Sequence, residues 1–292
     1  MIEVKYINRN SGQLEVEKVP GGGSMNFIYG NPLGKLSLWL VVKRKFLSVW
    51  FGKYMSSAAS AKKIAPFIAN HDIDMNQYIE PVNGFSNFNE FFYRKVEPSF
   101  RPIGENIVSP ADGRVLVFPT LEKAHRFFVK GKEFDLTTFL KDEKLVAKYK
   151  NGAMCIIRLA PVDYHRYHFP VSGLASESKV INGYYYSVSP IALRRNMSIF
   201  WENKREYTVV ETTDHGSVLI CDVGATLTGG IQQTYKANTF VKKGDEKGYF
   251  YFGGSTLILL FEEGKISFSD DLLNNSENGF ETLLKMGETI GN

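Results

Sequence analysis

Short apolar segments separated by glycines make up the chain after Arg101, and this texture limits the folds that it can adopt. Short strands joined by glycine turns are typical of an antiparallel sandwich or barrel, whereas a parallel sheet needs long crossover connections. In this part of the chain only 136–140 and 190–196 have a helical pattern. Residues 101–292 are therefore predicted to form a mainly antiparallel β domain.

The first hundred residues differ and are predicted to form a hairpin followed by helices. Apolar and polar residues alternate over 2–19 on both sides of a glycine-containing turn, which indicates two short paired strands. Three later stretches show helical periodicity: 33–54, 60–70 and 87–95. The predicted fold class is α+β, with an α-rich region over 1–100 and the β domain over 101–292.

The stretch 33–54 predicts an amphipathic helix with a basic cluster. This cluster interrupts the apolar run, which stays below the roughly 18 residues that a membrane-spanning helix needs. Periodicity alone fits a helix packed on the core as well as a helix lying in a membrane interface. Two tryptophans beside the basic cluster favour the interface, with attraction to anionic lipid heads. The predicted membrane-binding residues are Trp39, Lys43, Arg44, Lys45 and Trp50.

Composition argues against several classes of function. The net charge of +4, from 35 Lys and Arg against 31 Asp and Glu, is too small for a nucleic-acid surface, so no nucleic acid is expected as a partner. Cys155 and Cys221 lie in apolar runs, which indicates buried structural thiols, and neither a disulfide nor a metal site is expected. The amino-terminal residues lack the pattern of a secretory signal or transit peptide, so a reducing cytoplasm is expected.

Three segments contain the residue types of an activated-serine site. They are 109–115 with Asp112, 161–170 with His165 and His168, and 252–256 with Ser255. Taken singly, each segment also has a structural interpretation. Asp-Gly is a common turn, two histidines three residues apart can pack among aromatics or form half a metal site, and Gly-Gly-Ser-Thr can be a bulge before the apolar strand 257–261.

The Gly-Gly-Ser sequence that ends at Ser255 also fits self-cleavage of the backbone. The hydroxyl has to reach the carbonyl of the preceding residue, and glycine leaves that carbonyl unshielded because it has no Cβ. An imidazole held in one tautomer by a carboxylate would take the hydroxyl proton and later protonate the departing group. Asp112 and His168 suit these two roles.

The three segments have the order, and about the separations, of those in phosphatidylserine decarboxylases, and the chain resembles that family over nearly its whole length. Other segments that carry the resemblance are 88–94, 101–103, 131–132, 223–226 and 243–250. The Gly-Gly-Ser-Thr form resembles the branch of the family in which a second glycine precedes the cleaved pair, in place of Leu-Gly-Ser-Thr.

The resemblance implies a role for each residue of the motifs. Asp112, His168 and Ser255 would form a self-cleavage triad in which the serine attacks the Gly254 carbonyl. His165 matches the first histidine of the family motif and is the candidate acid that returns a proton to the substrate carbon. The alternative is that His165 only orients the loop that carries both histidines.

The resemblance also implies the mature form and its reaction. Cleavage would leave a β chain 1–254 and an α chain 255–292 that begins with a pyruvoyl group made from Ser255. This group forms a Schiff base with phosphatidylserine, and loss of CO2 gives phosphatidylethanolamine without a metal. The fragments would stay together as a heterodimer, a homodimer of these units is favoured, and the expected location is peripheral, at the cytoplasmic face of a bacterial cell membrane.

Three other functions share some of these features. The glycine turns at 109–113 and 241–245 resemble those of lipoyl/biotinyl hammerhead domains, but the turn that displays the modified lysine is missing, so a likeness of fold alone is expected. A serine hydrolase would need a Gly-x-Ser-x-Gly elbow, which the Ser255 segment lacks. A pyruvoyl decarboxylase of the same family that acts on a different amino-acid headgroup stays open.

Overall fold

A computed structural model shows how these segments are arranged. It describes residues 4–17, 45–123, 134–184, 186, 188, 198–224, 230–253 and 255–292. The α-helices in these ranges are α1 (Lys45–Met55), α2 (Ile64–His71), α3 (Phe88–Phe92), α4 (Leu136–Leu140), α5 (Glu143–Tyr149), α6 (Ile199–Glu202) and α7 (Asp270–Glu277). Short 3₁₀ turns occupy Ala58–Lys63, Met75–Gln77 and Pro98–Phe100.

The strands are short, as the glycine spacing predicts. In chain order they are β1 (Lys5–Asn8), β2 (Leu14–Val16), β3 (Tyr78–Ile79), β4 (Lys95–Val96), β5 (Ile107–Val108), β6 (Gly113–Phe118), β7 (Ala153–Leu159), β8 (Arg166–His168), β9 (Gly173–Ala175), β10 (Lys179–Ile181), β11 (Arg205–Glu211), β12 (Ser217–Gly224), β13 (Ile231–Gln233), β14 (Thr239–Val241), β15 (Glu246–Phe250), β16 (Ser255–Phe261), β17 (Glu281–Leu284) and β18 (Thr289–Gly291).

One large sheet organises the molecule. Its strand order is β14-β9-β11-β12-β16-β7-β6-β17-β1-β2, with β10 paired to β11. All of these pairings are antiparallel except the pairing of β1 with β17. A smaller sheet, β13-β15-β8, carries the two histidines' segment. The prediction of mixed helices and a mainly antiparallel sheet is confirmed.

Strand β16 lies at the centre of the large sheet, between β12 and β7. Every one of its residues is buried, which explains why the sequence reads there as a continuous apolar run. Alternate side chains point to opposite faces, so Leu257 and Leu259 pack in one core and Ile258 and Leu260 in another. The predicted core strand 257–261 is confirmed, and it begins at Ser255.

The two faces of the sheet are covered by different elements. Helices α4, α5 and α6 cover one face and contribute Phe139, Tyr149 and Phe200 to its core. The other face packs against β8, β15 and α7, whose Tyr167, Phe250 and Leu272 join its core. Because Ser255 alternates with its neighbours along β16, it lies on the same face as β8.

The amino-terminal hairpin is present as predicted, and it joins the large sheet. β1 pairs antiparallel with β2 and parallel with β17. The described part of the predicted helix 33–54 is α1, and the predicted helix 60–70 is divided into a 3₁₀ turn and α2. The predicted helix 87–95 is too long. Helix α3 ends at Phe92, and Lys95 already belongs to β4, where it pairs with Ile79 of β3.

The remaining sequence-based predictions concern two helical turns, the two cysteines and a membrane-spanning helix. The helical turn at 136–140 is confirmed as α4, whereas the one at 190–196 lies outside the described residues. Cys155 and Cys221 are both free and buried, and burial raises the pKa of each thiol. Within the described ranges, the helices are all too short or too polar to cross a membrane.

Candidate active site

Ser255 lies at one end of the large sheet, where three strands meet. It is the first residue of β16 and lies opposite Leu159, the last residue of β7, and Gly224, the last residue of β12. Its side chain is 1% exposed. Gly253, two residues earlier, has a φ of 156°, which a residue with a Cβ rarely adopts. Gly254 lies outside the described residues.

Helix α3 holds the segment that leads into Ser255. The Phe252 N–H donates a hydrogen bond to the Asn89 side-chain carbonyl at 2.8 Å. The Phe252 ring packs on Phe88 and Phe92, with centroids 5.1 and 5.0 Å apart. The amino-terminal helices therefore position the backbone just before the predicted cleavage point.

His165 follows β7 and has one ring nitrogen without a partner. Its Nδ1 is 2.9 Å from the Asp163 carbonyl, which can only accept, so Nδ1 carries the proton. The ring lies 3.8 Å from the Phe92 ring, and its Nε2 is buried with no hydrogen-bond partner among the residues described. Burial lowers the pKa of His165 to about 3, so the ring is neutral with a free lone pair on Nε2.

His168 has both ring nitrogens occupied. Nδ1 donates to the Gly244 carbonyl at 2.9 Å, and Nε2 accepts from the Tyr164 hydroxyl at 3.1 Å. Burial lowers the pKa of His168, and the hydrogen bond to Gly244 opposes this shift. A backbone carbonyl, and not the predicted carboxylate, thus holds the imidazole in one tautomer. The backbone N–H of His168 donates to the Pro110 carbonyl at 2.8 Å, which joins the histidine segment 161–170 to the Asp112 segment 109–115.

Asp112 is clamped by two cations and one backbone donor. Arg101 donates to both carboxylate oxygens at 2.8 and 2.6 Å, the Met286 N–H donates at 2.8 Å, and the Lys285 ammonium lies 3.5 Å away. Burial alone would raise the pKa of Asp112, but Lys285 and Arg101 lower it below its usual value. The carboxylate is therefore ionised. It forms no hydrogen bond with His168, whose ring nitrogens bond to Gly244 and Tyr164.

The sheet register brings the motifs together. Arg114 of β6, Arg158 of β7 and Thr256 of β16 form one row across three adjacent strands. Asp112 lies two residues before this row and Ser255 one residue before it. The loop after β7 carries His165, whose neighbour Asp163 pairs with Arg114. The structure thus gathers Asp112, His165, His168 and Ser255 at one end of the sheet.

Known proteins are similar to this chain over the whole arrangement. The sequence profile of the family described as phosphatidylserine decarboxylase matches residues 88–292, which include all four candidate residues. A relative from Fusobacterium nucleatum is 50% identical over 99% of this chain and 98% of its own length. Relatives from Clostridium novyi and Chlamydia muridarum are 45% and 41% identical over 99% of this chain, and over 99% and 97% of theirs. All three are named phosphatidylserine decarboxylase proenzyme.

The chain belongs to the phosphatidylserine decarboxylase family. This confirms the resemblance inferred from the sequence motifs and makes the chain a member of a family of carboxy-lyases. The word proenzyme in the relatives' names states that those proteins are made as precursors.

Several residues that build this decarboxylase-family site were not identified from the sequence. Tyr164 and Arg101 lie in the quoted segments, but their bonds to His168 and Asp112 depend on the tertiary fold. Asn89 and Lys285 are far in sequence from their partners, and no local pattern indicates these contacts. The one signal that could have found Tyr164 is its place in the segment 161–170, where a hydroxyl close in sequence to two histidines can be a hydrogen-bond partner for one of them.

The structure describes the side chain of one of the five predicted membrane-binding residues. Trp39, Lys43 and Arg44 are outside the described residues, and of Lys45 only the backbone is described. Trp50 is exposed on α1, whereas Phe51 of the same helix packs against Phe252. One face of the carboxyl-terminal half of α1 therefore packs on the core, and the other face is exposed to solvent. Membrane binding through the exposed face stays a prediction.

The charge on Asp112 predicts a pH-dependent contribution to stability. Because its pKa is lower in the folded state, the carboxylate stabilises the fold above about pH 4 and loses this contribution as the pH falls further. We expect Asp112→Asn to lower the free energy of unfolding near neutral pH by about 3 kcal/mol, because it breaks a buried ion pair, and to have less effect at lower pH. Urea denaturation measures this difference on chains that also carry Ser255→Ala, which we expect to prevent cleavage.

The matched control is Asp214→Asn, at an exposed turn. It should change the free energy of unfolding little at either pH. A loss in the Asp112 variant that is equal at all pH values would contradict the assignment of a depressed pKa.

Proposed function

We propose that this chain is a phosphatidylserine decarboxylase that cuts itself between Gly254 and Ser255 and makes a pyruvoyl group from Ser255. The observation that carries the proposal is the position of Ser255: it begins the central strand at the end of the sheet where the segments of Asp112 and both histidines also lie. The precursor names of relatives that match along the whole chain support the same maturation. The product would be phosphatidylethanolamine, with release of CO2.

The maturation step uses groups of this chain alone. Ser255 attacks the Gly254 carbonyl, and His168 takes the hydroxyl proton and later protonates the departing group. Tyr164 donates to the Nε2 of His168, so the Ser255 proton can reach this histidine in two ways. Either the Tyr164 oxygen takes it while Tyr164 gives its own proton to Nε2, or the Tyr164 hydroxyl first moves away from Nε2. Asp112 acts through its charge, which stabilises a protonated imidazole nearby. The resulting ester is eliminated, which releases the Gly254 carboxylate and leaves a dehydroalanine, and solvent water then hydrolyses the imine form of that residue, which releases ammonia and leaves the pyruvoyl group at the start of 255–292.

The surroundings of Ser255 fit a pyruvoyl group. The residue is buried at a strand terminus, and His165, at the same end of the sheet, has an Nε2 without a hydrogen-bond partner among the described residues. A pyruvoyl group supplies a carbonyl that can bind the amine of the substrate and accept the electron pair left by CO2.

His165 can move the proton that this reaction needs. The substrate amine arrives as an ammonium ion and has to lose a proton before it can react with a carbonyl. Burial lowers the pKa of His165 to about 3, which keeps its Nε2 neutral and open, and the carboxylate of a bound substrate would raise this pKa and let the nitrogen hold the proton. Protonated His165 is then a strong acid and returns the proton to the substrate carbon after CO2 has left.

The two fragments, 1–254 and 255–292, would remain one unit. β16 pairs with β12 and β7 on either side, and both strands belong to the larger fragment. Arg158 of the larger fragment pairs with Glu281 of the smaller one at 2.6 Å. A homodimer of these units belongs to the same proposal.

The membrane role belongs to this proposal as well. The substrate is a lipid, and Trp50 is exposed on the helix whose sequence continues from the basic cluster Lys43, Arg44 and Lys45. We infer a peripheral location on an anionic membrane, at the cytoplasmic face in a bacterium, through the region 1–100. Hammerhead-like features of the β domain over 101–292 complete the proposed organisation.

Ser255→Ala should abolish cleavage, because it removes the attacking hydroxyl. Intact-mass measurement should show a single 33.0 kDa chain in place of two fragments, one of which lacks a free amino terminus. Thr256→Val is the matched control: the Thr256 hydroxyl is buried without a hydrogen-bond partner in the described structure, so its loss should leave cleavage intact. Continued cleavage of the Ser255 variant would refute the role of this residue.

His165→Ala should permit normal cleavage and lower the rate of decarboxylation by a factor of about 10² to 10⁴, as expected for the loss of an acid–base group. The two steps are measured separately, by intact mass and by CO2 release from phosphatidylserine. His215→Ala, in the turn between β11 and β12, is the control and should affect neither. A His165 variant that stays uncut would show that the two histidines have the opposite roles.

Binding to vesicles should depend on charge and on Trp50. Neutralising Lys43, Arg44 and Lys45 together should weaken flotation with anionic vesicles by about 100-fold, because each cation contributes about 1 kcal/mol. Trp50→Ala should weaken it too, whereas Phe240→Ala should not; these side chains are 67% and 68% exposed, but Phe240 lies on β14, far along the chain. Binding indifferent to lipid charge and salt would contradict the electrostatic part.

A further inference from the structure

Arg94 is a buried cation without a counter-ion in the part of the chain that the structure describes. It follows α3, is 1% exposed, and its guanidinium stacks on the Tyr78 ring at 4.0 Å and the Phe91 ring at 4.7 Å. Its two hydrogen bonds, to the carbonyls of Phe91 and Val162, are both 3.2 Å long. The Nε is buried and has no partner, and no carboxylate in the ranges that the structure describes forms a salt bridge with Arg94.

Other buried arginines of the described chain are better satisfied. Arg101, Arg114 and Arg158 each pair with carboxylates. Arg205 has no carboxylate but donates to backbone carbonyls at 2.7 to 2.8 Å through all three of its nitrogens. A buried charge without a counter-charge is costly, so the guanidinium of Arg94 has a large free-energy gain available from an anion.

The position of Arg94 connects it to the active site. Val162, which accepts one of its hydrogen bonds, lies in the loop that leads to His165. The charge of Arg94 reaches the His165 ring, where it adds to the effect of burial in lowering the pKa. Phe92, two residues before Arg94, lies between that ring and Phe252. An anion bound at Arg94 would therefore lie beside the groups that surround Ser255.

The proposed substrate carries two kinds of oxyanion, a carboxylate and a phosphodiester. A guanidinium bound to the carboxylate would stabilise the ground state, because that charge is lost as CO2 leaves, and this raises the barrier. A guanidinium bound to the phosphodiester keeps its partner throughout the reaction and positions the amine at no such cost. The chemistry thus favours the phosphodiester.

We propose that Arg94 binds the phosphodiester of the substrate headgroup in the mature enzyme. The proposal rests on the proposed function, since it requires a phospholipid substrate at Ser255. Arg94 is then a substrate-binding residue, and its two backbone hydrogen bonds and two aromatic rings hold the guanidinium in place for the anion.

Reductive trapping of small amines tests this binding without decarboxylation of the lipid. Mature protein is treated with cyanoborohydride and with glycerophosphoethanolamine, ethanolamine or serine, and the rate of adduct formation on fragment 255–292 is followed by intact mass. The first two probes share the amine and differ in the phosphodiester. Serine adds a carboxylate without a phosphodiester.

Wild-type protein should trap glycerophosphoethanolamine about tenfold faster than ethanolamine at low probe concentration, as expected for a charge-assisted hydrogen-bonded pair. Arg94→Gln should bring this ratio close to one and leave the ratio of serine to ethanolamine unchanged. Arg94→Lys should keep part of the advantage. Lys95→Gln removes a neighbouring exposed charge and should keep all of it.

A glycerophosphoethanolamine ratio that survives in Arg94→Gln overturns the proposal, and so does a selective loss of the serine ratio. If the Arg94 variants do not fold, wild-type protein decides: inorganic phosphate should remove the advantage of glycerophosphoethanolamine without slowing ethanolamine, and any other result overturns the proposal. Failure of the proposed function is seen separately, because wild-type protein would then remain uncut or trap no amine.

Discussion

The burial of β16 between two strands is the constraint on which the rest of the structure depends. Its residues from Ser255 to Phe261 pair on one side with Gly224 to Val218 and on the other with Leu159 to Ala153. The proposed loss of the peptide bond before its first residue would break no pairing of either ladder and remove no side chain from either core. Because the uncut strand is already part of the interior, a chain terminus made at Ser255 would be buried as well.

Electrostatics at this end of the sheet follow from the same burial. Asp112 is kept ionised because Arg101 and Lys285 offset the cost of burying its charge. His165 and His168 have no such partners on their ring nitrogens, so burial lowers the pKa of both. One buried anion and two neutral imidazoles therefore lie at the same end of the sheet, because nearby cations favour the charged form of a carboxylate and the neutral form of an imidazole.

The sequence predicted the elements better than their contacts. Glycine spacing indicated the short antiparallel strands, and the apolar run indicated the central strand, because both depend on local patterns. The motifs identified Asp112, His165, His168 and Ser255, and the fold brings them to one end of the sheet. The helix predicted over 87–95 was too long, since pairing of Lys95 with Ile79 overrides the helical pattern.

Contacts between distant residues could not be predicted in this way. Gly244 bonds to His168 through its backbone carbonyl, which is the same in every residue and carries no sequence signal. Lys285 and Met286 reach Asp112 because β17 pairs with β6, a register that no local pattern of either strand specifies. The parallel pairing of β1 with β17 likewise joins the two ends of the chain, and hairpin periodicity alone predicts only that β1 pairs with β2.

Tertiary contacts also explain how one short motif can hold two histidines with different properties. His165 and His168 are three residues apart and both buried, yet Tyr164 occupies the Nε2 of one, while the Nε2 of the other faces no donor in the described structure. Each Nδ1 is bound to a backbone carbonyl, so both rings have the same tautomer. Among the hydrogen bonds of the described structure, the two rings therefore differ at Nε2. A ring that is fixed at both nitrogens suits a single event such as cleavage, and a ring with a free lone pair suits a proton that leaves and returns in every turnover.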